Sequence, residues 1–213
     1  KLILEGQEGG LEVASADLSI YEVEELSIVD DKCAERFAQE EDNEEELEAS
    51  FTCRKILKGE HLIKEGEFCK EIFFIKSGRL RVYYLDEKGN EVTCFFFEEN
   101  QFVSSYTSFL TNAPTKENIQ AIADCEVFTI SRDRLDKVSI QIPTLHIFRR
   151  IMAENLFIAM ERRISMLQSQ TAQERYEKTI KETPELILNI PLQYTASFLG
   201  ITPQHLSRLR KEL

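Results

Sequence analysis

The 213-residue sequence predicts an α+β protein in which a stretch of short antiparallel strands is followed only by helices. Three observations carry that prediction. Glycines at 59, 66, 78 and 89 punctuate short runs of β-branched and aromatic residues, which is how an all-β barrel or sandwich reads. After Pro143 the periodicity changes, and neither glycine nor proline interrupts residues 145–167. The last 24 residues, IPLQYTASFLGITPQHLSRLRKEL, read as two short helices broken at a glycine.

Taken in order, residues 1–50 form an acidic N-terminal segment, with seventeen Asp and Glu against three Lys and Arg. Leu18, Ile20, Val23, Leu26 and Ile28 leave room for a short helix or strand. The run from Glu40 to Glu48 reads as a solvated face or flexible segment rather than a site. Residues 51–142 hold the strands HLIKE, EIFFIKS, RLRVYYLDE and EVTCFFFEE, then NIQAIA and EVFTIS after Pro114. Glu87-Lys88-Gly89-Asn90 is a hairpin tip.

Residues 143–172 form a long helix and a hinge, opened by Pro143 at a compatible position. Ile151, Met152, Ala153, Leu156, Phe157, Ile158, Ala159 and Met160 cover most of its circumference. A helix apolar nearly all round is buried on two sides. One side packs on the strands. The simplest partner for the other is the same helix of a second chain, giving a homodimer seam through Met152, Leu156, Ala159 and Arg163. The alternative is the central helix of a monomer.

Residues 173–213 end in a helix-turn-helix. Leu192, Ala196 and Leu199 give the first helix one apolar face. Gly200 tolerates the left-handed turn, Ile201 plugs the corner, Thr202 is a good N-cap and Pro203 a good first-turn residue. In the second helix Leu206 and Leu209 face in. A helix offering amide, imidazole, hydroxyl and guanidinium groups can read base edges and grip phosphates. Double-stranded DNA is therefore the expected partner, through Thr202, Pro203, Gln204, His205, Ser207, Arg208, Arg210 and Lys211. By position along the helix, Gln204, His205 and Arg208 would contact bases, and Ser207, Arg210 and Lys211 would hold phosphates. The competing reading is an ordinary helical hairpin with a solvated face.

The net charge of −12 speaks against nucleic acid only if it is evenly spread. It is not: residues 203–213 hold three basic side chains and one acidic, and screening confines the field to about 8–10 Å at cellular salt. No apolar run is long enough to span a bilayer, so no membrane is expected. Nor is a secretory signal read, and the expected localisation is cytoplasmic. Cys33, Cys53, Cys69, Cys94 and Cys125 lie far apart with no CxxC pair. This argues against a metal site, against an iron–sulfur cluster and against a disulfide framework. His61 and His146 read as surface or packing histidines, so no haem is expected. No nucleophile–base ordering, paired carboxylates or phosphate loop suggests an enzyme.

With these residues in place the chain resembles the Crp/Fnr family of bacterial transcription regulators. The resemblance is carried by Ile63-x-x-Gly66 through Phe73-Phe74-Ile75-x-x-Gly78, by Asp124-Cys125-Glu126-Val127 with Ile130-Ser131, and by the hinge Thr171-Ala172-Gln173-Glu174-Arg175-Tyr176. It covers residues 51–213. It implies a cyclic-nucleotide-binding-like β-roll (an antiparallel double-stranded β-helix, jelly-roll-like) over 51–142, a dimerisation helix, a C-terminal helix-turn-helix domain, and RNA polymerase as a further partner. In the cyclic-nucleotide members a Gly-Glu pair engages the ribose and an Arg-Ser pair about ten residues on binds the phosphate. Counting back from Cys125 without gaps puts Ser105 at the carboxylate position and Thr115 at the arginine position. Thr115 cannot supply a charged, forked donor, and Lys116 could supply only a point charge. Binding of cAMP in the family's manner is therefore not expected. Phe102, Ser104, Ser105, Tyr106, Thr107, Thr115 and Lys116 remain candidates to line a pocket for another small effector. Two functions stay open: a dimeric DNA-binding regulator with an unidentified effector, or a β-roll sensor or scaffold that does not read DNA.

Overall fold

The computed structural model describes residues 47, 49–143, 145–184 and 188–212. The acidic segment up to residue 46, Cys33 included, lies outside the described residues. Eight strands build two antiparallel sheets. They are β1 (Thr52–Ile56), β2 (His61–Ile63), β3 (Glu71–Ser77), β4 (Leu80–Leu85), β5 (Glu91–Phe97), β6 (Phe102–Val103), β7 (Asn118–Ala121) and β8 (Cys125–Ser131). One sheet has the order β1-β8-β3-β6, the other β2-β7-β4-β5. The strands that the glycine punctuation marks are all present. Pleating sends alternate side chains to opposite faces, so Phe73 and Ile75 of β3 and Leu80 and Val82 of β4 meet inside the roll. There they pack with Ile56, Ile63, Val103, Ile119 and Val127.

The turn between β3 and β4 depends on Gly78. Its φ is +97°, and an added Cβ would lie 2.8 Å from Cys125 Cα and closer still to the Asp124 carbonyl. Only glycine meets both demands.

Six helices are placed among the described residues: α1 (Tyr106–Thr111), α2 (Arg132–Gln141), α3 (Leu145–Ser169), α4 (Ala172–Glu182), α5 (Leu192–Phe198) and α6 (Pro203–Glu212). Two of them fall inside the region that the sequence assigns to strands and loops. Helix α1 folds from the hydroxyl-rich run after β6. Helix α2 is capped by Ser131, whose hydroxyl accepts from the Arg134 amide, and it buries Leu135 and Val138. Both have a few apolar residues among polar ones, so the periodic signal is short and tertiary packing decides. The outer face of the first sheet is covered by a second cluster. Ile72, Ile130, Phe109 and Leu135 form it, with Phe102, Tyr106 and Met152 packed against them. A ladder of rings, Phe74–Phe102 at 4.9 Å and Phe102–Phe148 at 5.0 Å, ties α3 to β3.

Gly78→Ala should cost about 1–3 kcal/mol of folding stability, from backbone strain alone, read by urea denaturation. A loss below about 0.5 kcal/mol, the range of an uninvolved surface change, would contradict the close approach described.

Candidate nucleic-acid interface

The head begins at a capping box. Thr171 Oγ1 accepts from the Glu174 amide at 3.3 Å, and Glu174 Oε2 accepts from the Thr171 amide at 2.7 Å. These donors hold the Glu174 carboxyl below the ordinary glutamate range, the Thr171 backbone N–H contributing most. Next to it Arg175 is buried. Its Nε donates to the Leu199 carbonyl at 2.8 Å, and its Nη1 donates to the Gln170 carbonyl. One guanidinium thus joins the end of the long helix to the turn of the helix-turn-helix. Sequence reasoning missed this role because an arginine at an interior helical position reads as surface. The head's core is Tyr176, Ala196, Leu199, Leu206 and Leu209, as the apolar positions of α5 and α6 predict.

Gly200 has φ +67°, the left-handed conformation expected of the turn. Thr202 caps α6, its hydroxyl accepting from the His205 amide at 3.2 Å. With Leu206 and Leu209 buried beneath, Gln204, Arg208 and Lys211 fall at i, i+4 and i+7, on one exposed stripe. Thr202, Pro203 and Arg210 are also exposed, whereas His205 and Ser207 are half-buried.

The seven residues predicted to line an effector pocket divide among four surroundings. Ser105 and Thr115, both buried, bond each other directly, hydroxyl to hydroxyl at 2.6 Å. Thr115 Oγ1 also accepts from the Glu117 amide at 2.9 Å. Ser104 donates to the Glu71 carbonyl at 2.9 Å. Phe102 and Tyr106 pack beneath α3, outside the interior of the roll. Thr107 and Lys116 are exposed. Ser105 and Thr115 therefore form a neutral, mutually bonded pair. An open depression of about 600 Å³ lies elsewhere, lined by Arg54, Lys55, Glu60, His61 and Lys64 among others. Burial, then the Lys64 and Arg81 charges, hold the His61 imidazole below its ordinary range, and its Nε2 lies 3.0 Å from the Tyr83 hydroxyl.

Two of the four expected seam residues are engaged within the chain. Met152 packs on the Ile72–Leu135 cluster, and Arg163 donates to the carbonyls of Thr93 and Phe198. Leu156 and Ala159 are half-buried. The exposed apolar row of α3 is Phe157, Met160, Ile164 and Leu167, rotated by about one residue from the row named in the sequence. The all-round apolarity of α3 could not fix which side met its own roll.

Two measurements check these local geometries. A double-mutant cycle of Ser105→Ala and Thr115→Val should show a coupling of about 0.5–1.5 kcal/mol, that of a buried neutral hydrogen bond. Strict additivity would contradict the pairing. A carboxyl titration by NMR should find Glu174 depressed, and Thr171→Ala, which removes the hydroxyl donor and keeps the backbone one, should raise it part of the way toward the ordinary glutamate range. Because the folded value is depressed, this cap's contribution is present above the ordinary glutamate range and lost as pH falls through the lower value. An unchanged midpoint in the variant would contradict the capping box.

Comparison with known proteins agrees with this architecture. Residues 53–141 match the cyclic nucleotide-binding domain model. The transcriptional activator protein Anr of Pseudomonas protegens is 24% identical over 75% of this chain and 62% of its own length. The chain spans between 40% and 62% of the curated relatives it matches. Among solved structures, FixK2 from Bradyrhizobium japonicum superposes with a TM-score of 0.65 at 20% identity, covering 76% of this chain and 84% of that one. A transcriptional regulator assigned to the Crp/Fnr family from Eubacterium rectale gives 0.62 at 16% identity, covering 82% and 83%. The β-roll, the long helix and the C-terminal helix pair occur here in the same order as in those regulators: the chain carries a cyclic nucleotide-binding domain over residues 53–141 and shares their fold.

Proposed function

We propose that the chain is a homodimeric, sequence-specific DNA-binding regulator of transcription in the bacterial cytoplasm, acting by binding and without a catalytic step. The observation that carries this reading is the stripe on α6. Gln204, Arg208 and Lys211 stand exposed on a helix whose opposite face, Leu206 and Leu209, is locked into the head's core. In this role Gln204, His205 and Arg208 meet base edges in the major groove. Arginine pairs best with guanine and glutamine with adenine. Ser207, Arg210, Lys211 and the first amides of α6 after the Thr202 cap hold phosphates, where the helix dipole favours anions. RNA polymerase is the further partner such a regulator contacts.

Dimerisation is supported by the row Phe157, Met160, Ile164 and Leu167, whose 3-4-3 spacing is that of a coiled-coil seam. The neutral Ser105–Thr115 pair supports an effector other than a cyclic nucleotide held in the family's manner. A fixed cyclic phosphate would meet two hydroxyls there, neither of them charged.

Selection of bound sites from random duplex DNA should recover a palindrome. On it, Arg208→Ala should lose about 1–3 kcal/mol and relax one base step. Lys211→Ala should weaken binding to all sequences and lower the salt slope by about one. Recovery of no sequence preference, or equal losses in both variants on matched and scrambled duplexes, would overturn the assignment. Phe157→Glu with Ile164→Glu should give monomers in sedimentation. A wild-type chain monomeric at micromolar concentration would overturn the dimer.

A further inference from the structure

A charged side chain on the outer face of the roll is buried by the head. Arg81 lies on β4 between Leu80 and Val82, which point into the core, so its own side chain leaves the opposite face. It is nevertheless only 1% exposed. The cover comes from the other end of the chain. Its guanidinium carbon sits 3.6 Å from the ring centre of Tyr194 on α5, and 4.1 Å from that of Tyr83 on its own strand. Nε donates to Gln120 at 2.9 Å, and Nη2 donates to Gln120 at 2.6 Å and to Glu91 at 2.5 Å. Nη1 is buried with no hydrogen-bond partner among the described residues.

Beside this clamp, Ser197 of α5 accepts from the Thr93 amide and donates to the Glu91 carbonyl, each at 2.9 Å. Phe198 packs on Phe96 with ring centres 5.4 Å apart. None of these contacts involves α6; Phe198 also packs against the head's own core, whereas Tyr194 and Ser197 do not. They fix where the head sits, not how it folds.

We propose that Arg81 is a positioning residue for DNA reading: clamped between Tyr83 and Tyr194, it fixes the angle at which the head leaves the hinge at Gln170–Thr171, and through it the distance between the two reading helices of the dimer. This rests on the reading of the chain as a dimeric DNA binder. With the clamp gone, the head is still joined through the hinge, Arg175 and the Ser197 and Phe198 contacts, but its angle is held less tightly. The reading helix itself is untouched.

The test uses the full chain on the selected palindrome, on versions with the half-site spacer changed by one and two base pairs, and on a single half-site. Arg81→Met removes the clamp from the roll side. Tyr194→Leu removes it from the head side, so a folding defect of either variant does not decide the outcome. The wild type should prefer one spacer sharply, because rigid heads must meet the groove in register. In both variants that preference should flatten by about fivefold or more, with half-site affinity unchanged. The double variant should be no flatter than the singles, since one contact is lost only once. A merely stabilising role would lower affinity on every duplex and leave the spacer profile intact. A wild-type spacer preference retained by both variants overturns the clamp alone. Absence of palindrome binding by the wild type overturns the DNA reading, and this inference with it.

Discussion

Strand β5 is the edge of its sheet, and the closing of that edge governs how the two halves of the chain meet. An edge strand carries unpaired amides and carbonyls that must be covered or wetted. Here the cover is assembled from two helices. The Ser197 hydroxyl takes the Thr93 amide and gives to the Glu91 carbonyl, as a neighbouring strand would. Arg163, near the end of the long helix, gives to the Thr93 carbonyl and to the last turn of α5. Roll, long helix and head therefore share one junction, at residues 91–93, 163 and 194–198. Movement of any one is felt by the other two.

Ser105 and Thr115 differ in kind from the charged pair that the resemblance to cyclic-nucleotide members would place there. A buried carboxylate and guanidinium require either each other or a ligand, since an isolated buried charge is costly. Ser105 and Thr115 require neither. Their hydroxyls meet in a neutral bond, and the backbone of Thr115 closes onto the turn before β3, through Gly66 and Glu67.

Much of the fold was legible because its signals are local. Glycine spacing marks the strands between residues 61 and 97, and Gly78 and Gly200 stand where positive φ is required. Leu192, Ala196, Leu199, Leu206 and Leu209 define the helix-turn-helix core before any contact is seen. The exposed reading stripe follows from the same spacing. What the sequence hid are contacts between distant residues. Arg81 and Tyr194 lie 113 positions apart, and neither has a pattern that points to the other. Arg175 reads as a surface charge and Arg163 as a seam residue, yet each donates to backbone carbonyls of the head. The exposed apolar row of α3 lies about one residue from the row named in the sequence for a related reason. A helix apolar on all sides names no preferred face until the roll has claimed one.

The central claim is that two copies of α6 present their Gln204–Arg208–Lys211 stripes to one duplex across a two-fold axis. A hydroxyl-radical footprint of the chain on its selected site tests it most directly. The account predicts two patches of protection related by a dyad, centred about one helical turn, or about 34 Å, apart on one face of the DNA. A single patch, continuous protection without symmetry, or no protection would contradict it.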